Sequence, residues 1–483
     1  MGYTSDLIRY IYFILQKQTD KLLTIHMINH HKCEVMSLRG KWKLLMVGLF
    51  VLSLLVAGCA QQEQKPEATP TPEKKAPEEK PEKKVETLYF GAPISLTGKY
   101  SKEGQMSLWG MQVAAKWIND VYGGLKVGDK VYKVEIKYYD DQSNKEVVQS
   151  MIERLAVQDG VKFILAPYSS GLTLAAAPIA EKYGVLMNSH GGASDYIFEQ
   201  GYYYVVQTLS PASKYQTGFL DMIKKVDPDA KRVAMIYKDT EFSRAVFNAA
   251  REYAEANGFE VVFDKTYPKD VQDLSPILNE LKAANPDIII GGGHFADGQL
   301  LTQQLAELKI NVKAISILVA PALPKYYDAL GTKAEGICAP AQWEVGVTYG
   351  PEAAKKLGMD YFGPTQDEFL VLFKEISGSD EKPSYHAAEG AAAVLSYAYA
   401  IEKAQSLDPE KVREAMNDIE FMTLYGVWKI DPETGKQIGH EMVIIQWQGG
   451  TKKIIWPEAA ANADPYYPIP TWEEKDQGKL AKH

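Results

Sequence analysis

Residues 161–187 read VKFILAPYSSGLTLAAAPIAEKYGVLM, and this stretch decides the fold. Residues 161–165 are a short apolar run that predicts a buried strand, and residues 185–187 predict a second one. Between them, residues 173–183 predict a helix. A strand, a helix and another strand in succession predict parallel strands, because a crossover connection is needed to bring such strands side by side.

The same alternation continues on both sides of this stretch. Upstream, it predicts strands over residues 87–91 and 131–139 and helices over 108–121 and 147–158. Downstream, it predicts helices over 215–226, 243–257, 274–284 and 299–308 and strands over 232–237, 261–263, 288–290 and 314–319. Because short apolar strands followed by helices form parallel sheets with both faces covered, we expect an α/β fold of two doubly wound, Rossmann-like lobes.

Composition excludes some functional classes. The chain has 483 residues, 46% of them hydrophobic and 24% charged, which is typical of a globular protein. Its net charge of −9 disfavours nucleic-acid binding, since proteins of that class neutralise phosphates with an excess of Lys and Arg. We therefore expect no nucleic-acid partner.

The beginning of the chain predicts export and lipidation. Basic residues are followed by an uncharged run, residues 44–57, and then by Gly58-Cys59. As a helix this run would be about 21 Å long, short of the ~30 Å core of a bilayer and typical of a signal peptide. Its end resembles a bacterial lipobox, so residues 1–59 are a predicted signal segment with Cys59 as the lipidation site. We place the true start at Met36; a plain transmembrane anchor is the alternative.

Residues 60–85 predict a tether between that anchor and the folded part. The segment is rich in Pro, Glu and Lys and has no aromatic residue, so it cannot bury enough apolar surface to fold. Its prolines keep it extended. Together these features place the folded part outside the cytoplasm, held at the outer face of the cell membrane.

The loops after the predicted strands are the expected binding site, because ligands of such sheets bind beyond the carboxyl ends of the strands. Hydroxyl and backbone N–H groups at a helix N-terminus suit a carboxylate, although N-capping and ordinary turns explain the same residues. The loop residues that we single out are Tyr168, Ser169 and Ser170, then Gly191, Gly192, Ala193 and Ser194, and then Gly293 and His294.

The sequence contains no motif that indicates catalysis or a cofactor. The Gly291-Gly292-Gly293-His294 run is not GxGxxG and is not followed by a Walker lysine, so it does not predict a nucleotide site. The histidines lack metal-ligand spacing, and no GxSxG, HExxH or CxxC motif occurs. We therefore expect a protein that is not an enzyme and holds no metal or cofactor.

Several stretches, in order, resemble one known family. They are GAPISLTGKYSKEGQ (91–105), YYDDQSN (138–144), the stretch 166–187, GGASDYIF (191–198) and NPDIIIGGG (285–293). In this series the chain resembles the type I periplasmic binding proteins of the leucine/isoleucine/valine-binding group, which serve ABC transporters. The resemblance covers roughly residues 86–447.

This resemblance implies two lobes joined by three hinge crossings, with the ligand in the cleft between them. Lobe 1 would comprise residues 86–207 and 334–425. Lobe 2 would comprise residues 208–333 and 426–456, and residues 457–483 would be a C-terminal tail.

The resemblance also implies a set of ligand-binding residues. Ser170 would hold a ligand carboxylate, while Gly192 and Ser194 would offer a carbonyl and a donor. The expected set is Glu103, Tyr168, Ser169, Ser170, Gly191, Gly192, Ala193, Ser194, Phe242, Gly293, His294 and Trp343, with Gln342 beside Trp343 near the second hinge crossing.

The chain departs from the amino-acid binders of this family at one position. Those proteins usually place an acidic residue in lobe 2 to pair with the ligand ammonium, whereas this chain has Ala320 near that position. A buried ammonium without a partner is costly, so Asp297 or Glu103 would have to substitute, or the ligand is a carboxylate, an amide or an aromatic acid. We favour a ligand with a carboxylate or amide head.

Three functional classes fit this pattern: a transport receptor, a ligand-sensing module of the same fold and an extracytoplasmic enzyme. The lipidation motif favours the receptor, and an enzyme would need a nucleophile–base pair that the sequence does not offer. The expected partners are a small-molecule ligand, the permease subunits of an ABC transporter and the membrane through the lipid anchor. We expect the protein to be a monomer.

Overall fold

The computed structural model describes residues 85–479. The predicted signal segment, the lipidation site Cys59 and all but the last residue of the predicted tether lie outside the described residues. That last residue, Val85, begins the first strand and pairs with Val131 of the neighbouring strand. Val85, which the sequence assigned to the tether, therefore belongs to the first described strand.

Residues 85–207 form the first sheet and several of its helices. The strands are β1 (Val85–Ile94), β2 (Leu125–Val127), β3 (Lys130–Asp140), β4 (Phe163–Leu165), β5 (Leu186–Ser189) and β6 (Val205–Gln207), and the helices are α1 (Ser101–Trp117), α2 (Lys145–Glu153) and α3 (Ser170–Tyr183). The strand order is β2-β3-β1-β4-β5-β6, with parallel pairing throughout except between β2 and β3. The parallel strands therefore end at one common edge.

The next part of the chain supplies most of a second sheet. Its elements are α4 (Thr217–Val226), β7 (Arg232–Lys238), α5 (Glu241–Ala256), β8 (Glu260–Tyr267), α6 (Ser275–Ala283), β9 (Ile288–Gly292), α7 (Phe295–Glu307), β10 (Ala314–Ile317), α8 (Lys325–Leu330) and β11 (Cys338–Ala341). Strands β7 to β11 pair in parallel, in the order β11-β10-β9-β7-β8.

The last part of the chain returns to the first sheet and then completes the second one. Its elements are α9 (Pro351–Leu357), β12 (Asp360–Tyr361), α10 (Gln366–Ser377), α11 (Tyr385–Ala404), α12 (Pro409–Asp418), β13 (Phe421–Thr423), β14 (Gly426–Trp428), β15 (Val443–Gln448), β16 (Thr451–Trp456) and α13 (Trp472–Asp476). Strands β12, β13 and β14 form a small third sheet, while β15 and β16 extend the second sheet in antiparallel pairing.

The predicted α/β fold with two doubly wound lobes is confirmed. Helices α2 and α3 pack on one face of the first sheet, through Val148 and Leu172 among others, and α1 and α11 pack on the other. The predicted elements exist, but several are longer than their apolar runs. Strand β8, for instance, continues past Phe263 to Tyr267 because Asp264, Lys265 and Thr266 also pair with β7.

Two parts of the chain differ from the expected arrangement. Strand β11 pairs with β10 and β15 of the second sheet, so the range 334–425 that we assigned to lobe 1 begins inside the second sheet. Strand β14 pairs with β13 of the third sheet and not with β15. The expected tail packs against the second lobe, where Trp472 is buried and donates its indole N–H to the carbonyl of Ile310 at 2.8 Å.

Helices α1 and α11 approach each other closely at two glycines. A β-carbon on Gly110 would lie 1.8 Å from the carbonyl oxygen of Ala387, and one on Gly390 would lie 2.5 Å from that of Ser107. Only glycine fits at such distances. This contact brings the start of α11 to the edge where the strands of the first sheet end.

Three chain crossings connect the two lobes, and buried polar groups join them to one another. The crossings follow β6, follow β11 and precede β15. Ser210 of the first crossing donates its backbone N–H to Gln342 Oε1 at 2.9 Å and its hydroxyl to the carbonyl of His440 at 3.0 Å. His440 Nε2 donates to the carbonyl of Gln342 at 2.8 Å. Each crossing is therefore hydrogen-bonded to both of the others.

Within residues 85–479, none of the helices combines the length and the apolar composition that crossing a bilayer requires.

Candidate functional site

The loops at the carboxyl ends of both sheets meet around two small cavities. The inner cavity has a volume of about 10 Å³, and it is lined by Tyr168, Gly191, Leu209, Tyr215, Phe242, His294, Tyr385 and Glu389. These residues come from the loops after β4 and β5, from the first crossing, from α5 and the N-cap of α7 in the second lobe, and from α11. A space of this size admits one water-sized group.

The outer cavity, of about 70 Å³, shares Phe242 and His294 with the inner one. Its lining comprises Lys99, Tyr100, Ser143, Lys145, Ser169, Gly171, Leu172, Thr240, Glu241, Phe242, Lys269 and His294. Glu241 is already paired with Arg244 at 2.7 Å. The outer cavity is therefore predominantly basic, and burial together with the nearby Lys238 and Lys269 lowers the pKa of Lys99.

Aromatic rings form the boundary between the lobes. The His294 ring centroid lies 4.7 Å from that of Tyr100, 5.6 Å from that of Phe242 and 6.0 Å from that of Tyr168. Burial, reinforced by the nearby lysines, lowers the pKa of His294 to about 3, so its imidazole is neutral at physiological pH. His294 thus adds a neutral ring, not a charge, to the wall of both cavities.

Glu103 also contacts the opposite lobe. Its Oε1 accepts the backbone N–H of Phe295, the first residue of α7, at 3.2 Å. Its Oε2 has no hydrogen-bond partner within residues 85–479, and burial raises the pKa of this carboxyl to about 7. A lobe 1 carboxylate therefore meets the N-terminus of a lobe 2 helix, where the helix dipole favours negative charge.

The serine and glycine loops of lobe 1 are adjacent, but much of their hydrogen-bonding capacity is used between them. Ser170 Oγ accepts the backbone N–H of Ser194 at 3.1 Å. The carbonyl of Gly192 accepts the Ser189 hydroxyl at 3.2 Å, and the carbonyl of Ala193 accepts the N–H of Ala212 at 2.7 Å. Ser169 lines the outer cavity and Gly191 the inner one. Neither cavity is lined by Ser170, Gly192, Ala193 or Ser194, whose hydrogen bonds hold the two loops together.

Trp343 does not line either cavity. It is fully buried, it donates its indole N–H to the carbonyl of Leu424 at 3.0 Å, and its ring packs edge-on against Phe369 of α10. Its neighbour Gln342 faces the other way, toward Ser210 and the hinge. The expectation that Trp343 walls the cleft is therefore wrong, because the chain turns its side chain into the packing against α10.

Neither of the two lobe 2 positions considered above, Ala320 and Asp297, offers a free carboxylate to a ligand ammonium. Ala320 lies in a buried turn beside Gly298, where a β-carbon on that glycine would come within 2.7 Å of its side chain. Asp297 pairs with Lys238 at 3.0 Å, accepts the Tyr267 hydroxyl at 2.8 Å and accepts a backbone N–H. Asp297 therefore serves the interior of lobe 2, with Gly293 packed beside its carboxylate.

Sequence reasoning missed four residues that line the inner cavity: Leu209, Tyr215, Tyr385 and Glu389. Glu389 had a signal that could have found it. It is a lone acidic residue in YHAAEGAAAVLSYAYA (385–400), a helical segment that is otherwise apolar or weakly polar on every side and is buried throughout. A charge inside such a helix is rare without a functional or structural partner.

A larger groove of about 480 Å³ lies elsewhere on the molecule. It is bordered by Tyr327, Trp447, Lys452 and the segment 379–382, and its floor includes Glu344. Lys452 Nζ and Glu344 Oε2 are paired at 2.5 Å, and the rings of Tyr327 and Trp447 stack at 4.9 Å. None of the predicted ligand-binding residues lines this groove.

Comparison with known proteins agrees with this arrangement of two lobes around a shared site. A family model described as "Periplasmic binding protein" matches residues 87–452, which is most of the chain. The chain belongs to the periplasmic binding protein family. Within that family, its fold of two parallel sheets identifies it as a type I periplasmic binding protein, in agreement with the resemblance that its motifs indicated.

Relatives of this periplasmic binding protein match it over nearly their whole length. The Leu/Ile/Val-binding protein homolog 7 of Brucella abortus is 25% identical over 397 residues, which cover 78% of this chain and 92% of the relative. The Leu/Ile/Val-binding protein homolog 8 of Brucella melitensis is 24% identical over 389 residues, covering 77% and 91%.

Solved structures share its fold. A leucine-binding protein from Thermotoga maritima superposes with a TM-score of 0.63 and 23% identity, over 76% of this chain and 97% of that one. An ABC-transporter solute-binding protein from Rhodopseudomonas palustris, in complex with 3,4-dihydroxybenzoic acid, gives a TM-score of 0.63 and 21% identity, over 76% and 95%. At these identities the likeness concerns the fold.

Proposed function

We propose that this protein is the extracytoplasmic solute-binding receptor of an ABC transporter, which binds a small amino-acid-like, amide or carboxylate ligand between its lobes. The observation that carries this proposal is the pair of interlobe cavities, each lined by side chains of both lobes. A ligand held there would join the lobes, and the closed form would be the one that the permease subunits recognise. We expect the receptor to act as a monomer.

The outer cavity favours an anionic group of the ligand. Ser169 and Gly171 lie at the N-terminus of α3, a 14-residue helix, and both line this cavity together with Lys99, Lys145 and Lys269. Backbone N–H groups at a helix N-terminus and nearby ammonium groups both stabilise a carboxylate.

The ligand-binding residues that we propose follow from these contacts. Tyr168, Ser169, Gly191, Phe242 and His294 would touch the ligand directly, and Glu103 would act where the lobes meet. Ser170, Gly192, Ala193, Ser194 and Gly293 would shape the loops around it. A ligand larger than a few atoms requires the lobes to separate for entry, since the two cavities together offer only about 80 Å³ (the sum of 70 and 10 Å³).

The test is to identify what the full chain carries. Native mass spectrometry of the purified protein should reveal any small molecule retained through purification. A thermal-shift screen should then include branched-chain amino acids and aromatic carboxylates, because relatives and structural neighbours are named for such ligands, and also the amides of those amino acids. A ligand at a hundred times its Kd should stabilise the protein by about 2.7 kcal/mol. A chain that retains nothing and responds to none of these compounds would contradict the proposal.

The lipid anchor is a separate part of the proposal. We infer that Cys59 carries the lipid and holds the protein at the outer face of the membrane. Expression of the full chain in a bacterial host with metabolic labelling by a fatty acid should label the wild type. Cys59→Ser should lose the label and leave the membrane fraction, whereas Cys33→Ser should keep both. Labelling that persists in Cys59→Ser would show that the anchor lies elsewhere.

A further inference from the structure

Glu389 is a fully buried acidic residue without a partner. It lies in the first part of α11, it has no solvent exposure, and neither of its carboxyl oxygens has a hydrogen-bond partner among residues 85–479. Its side chain lines the inner cavity. A buried polar group that no protein group satisfies is rare in native proteins and calls for a functional explanation.

The surroundings of Glu389 suit a cation, but the lining of the inner cavity contains no positively charged side chain. The aromatic residues that share the inner cavity are Tyr168, Tyr215, Phe242 and Tyr385. Aromatic faces attract cations through their quadrupole, and rings around an ammonium group form a recurring recognition site. The only basic residue in the lining, His294, is neutral because burial lowers its pKa to about 3.

The other acidic residues near the cleft do not line the inner cavity. Asp297 is paired with Lys238, and Glu103 accepts the N–H of Phe295 with one of its oxygens. Glu389 is thus the acidic side chain that faces the inner cavity directly. The cavity has room for one water-sized group, which is also about the size of an ammonium group.

We propose that Glu389 is a ligand-binding residue that accepts hydrogen bonds from a protonated amine of the ligand, held in the inner cavity among Tyr168, Tyr215 and Tyr385. This inference rests on the proposed function and specifies its ligand class: a small molecule with a protonated amine at the inner end and an anionic group toward the basic outer cavity. The acid that Ala320 cannot supply from lobe 2 thus comes from α11 of lobe 1.

The charge distribution fixes the orientation of such a ligand. The inner end carries the carboxyl of Glu389, and the outer end carries Lys99, Lys145 and Lys269 together with the N-terminus of α3. A zwitterion would lie with its amine inward and its carboxylate outward. A carboxylate placed inward would lie away from these ammonium groups and next to Glu389, whose ionisation a second negative charge would oppose.

The first test compares ligands that differ only by the amine. The probes are L-leucine against 4-methylpentanoate, L-phenylalanine against 3-phenylpropanoate, and benzoate, each titrated calorimetrically into the full chain and into Glu389→Gln. We expect at least one amine to bind the wild type and its deaminated partner to bind far more weakly. Glu389→Gln should lower the affinity for that amine by roughly 30-fold or more, which is the effect expected when one partner of a buried charge pair is removed.

The matched control is Glu414→Gln, which removes an exposed glutamate from α12 and should bind like the wild type. If a deaminated acid or benzoate binds the wild type and Glu389→Gln retains that affinity, the inference is overturned while solute binding between the lobes stands. If none of the probes binds, the amine class is overturned, and the proposed function then depends on the molecule that mass spectrometry identifies.

A second readout does not need a variant. Burial raises the pKa of Glu389 well above its ordinary value, so the free protein holds a proton there, and a bound ammonium should displace it. The other titratable groups in the lining, Tyr168, Tyr215, Tyr385 and His294, are neutral at neutral pH. Glu103, with a pKa of about 7, is the other possible source. Binding enthalpies in two buffers should reveal proton release that Glu389→Gln abolishes and Glu103→Gln retains; equal enthalpies in the two buffers would count against the amine contact.

Discussion

The backbone N–H of Phe295 donates a hydrogen bond of 3.2 Å to Oε1 of Glu103, and this bond joins the two lobes. Glu103 belongs to α1 of the first lobe, and Phe295 begins α7 of the second. Both residues are buried, so the bond is shielded from water. It exists only while the lobes are together, and it should therefore contribute to ligand affinity without touching the ligand.

Glu103→Ala should weaken ligand binding. The variant leaves the N–H of Phe295 unpaired when the lobes meet, at a cost of about 1–3 kcal/mol. Since about 1.4 kcal/mol corresponds to a factor of ten, we expect an affinity loss of roughly five- to a hundredfold by calorimetry. Glu103→Gln keeps an acceptor oxygen and should lose much less. Equal losses in the two variants would indicate that the charge, and not the hydrogen bond, is what matters.

Gly110→Ala should destabilise the protein. The added methyl group would lie 1.8 Å from the carbonyl oxygen of Ala387, so α1 and α11 would have to move apart. Overpacking of this kind typically costs about 1–3 kcal/mol, measured as the free energy of unfolding in denaturant. Gly350→Ala is the control, because a β-carbon there meets nothing within 4 Å. Because α11 carries Glu389, Gly110→Ala should also reduce ligand affinity; unchanged stability would show that the two helices can accommodate the added methyl group.

His190 should make the protein less stable as the pH falls. Burial lowers the pKa of His190 to about 4, from an ordinary value of 6.5. Between these values the unfolded chain binds a proton that the folded protein does not, so stability decreases from pH 6.5 toward pH 4. As the pH falls from 6.5 toward 4, the unfolding free energy of His190→Gln should rise relative to that of the wild type by about 1.4 kcal/mol per pH unit. The buried Glu103, whose pKa is raised, has the opposite dependence, so only the difference between variant and wild type isolates His190.

The control for this pH series is Gln272→Ala, an exposed substitution that changes no titratable group. Its unfolding free energy should parallel that of the wild type at every pH. A His190→Gln curve that also ran parallel to the wild type would mean that His190 becomes protonated in the folded protein.

Gln342→Ala should loosen the hinge. Gln342 Oε1 accepts the N–H of Ser210 at 2.9 Å and lies 3.1 Å from the Tyr425 hydroxyl, and all three residues are buried. Removing the amide leaves these donors unpaired, which should lower the unfolding free energy by about 1–3 kcal/mol. Small-angle scattering should also show a broader range of interlobe separations than in Gln272→Ala. If the scattering curves of the two variants coincide, the Gln342 contacts do not restrain the hinge.

The sequence predicts the fold well because the signal for each lobe is local. The run FIL at 163–165 and the existence of the next helix follow from apolar patterning alone, although the helix starts at Ser170, three residues before the predicted start. The assignment of β11 (Cys338–Ala341) could not follow in the same way, because this strand pairs with β10 at a single residue and with the distant strand β15 along its whole length. Pairing between segments far apart in sequence leaves no local pattern.

The site was predictable to the extent that it lies at strand ends. Tyr168, Ser169, Gly191 and His294 lie around the cavities as the loop positions suggested, and Phe242 lies there as the family resemblance implied. Trp343 does not line either cavity, because the direction of a side chain after a chain crossing depends on the residues that pack against it. Glu389 was missed because it lies within a helix and not in a loop, and the glycine contact between α1 and α11 is what carries it to the cleft.

The most direct measurement is a crystal structure of the protein with the ligand that it retains through purification. We expect density for that ligand between the lobes, in contact with Tyr168 and Glu389 on one side and with Phe242 and His294 on the other. Density confined to one lobe, or lying in the groove beside Trp447, would contradict the account.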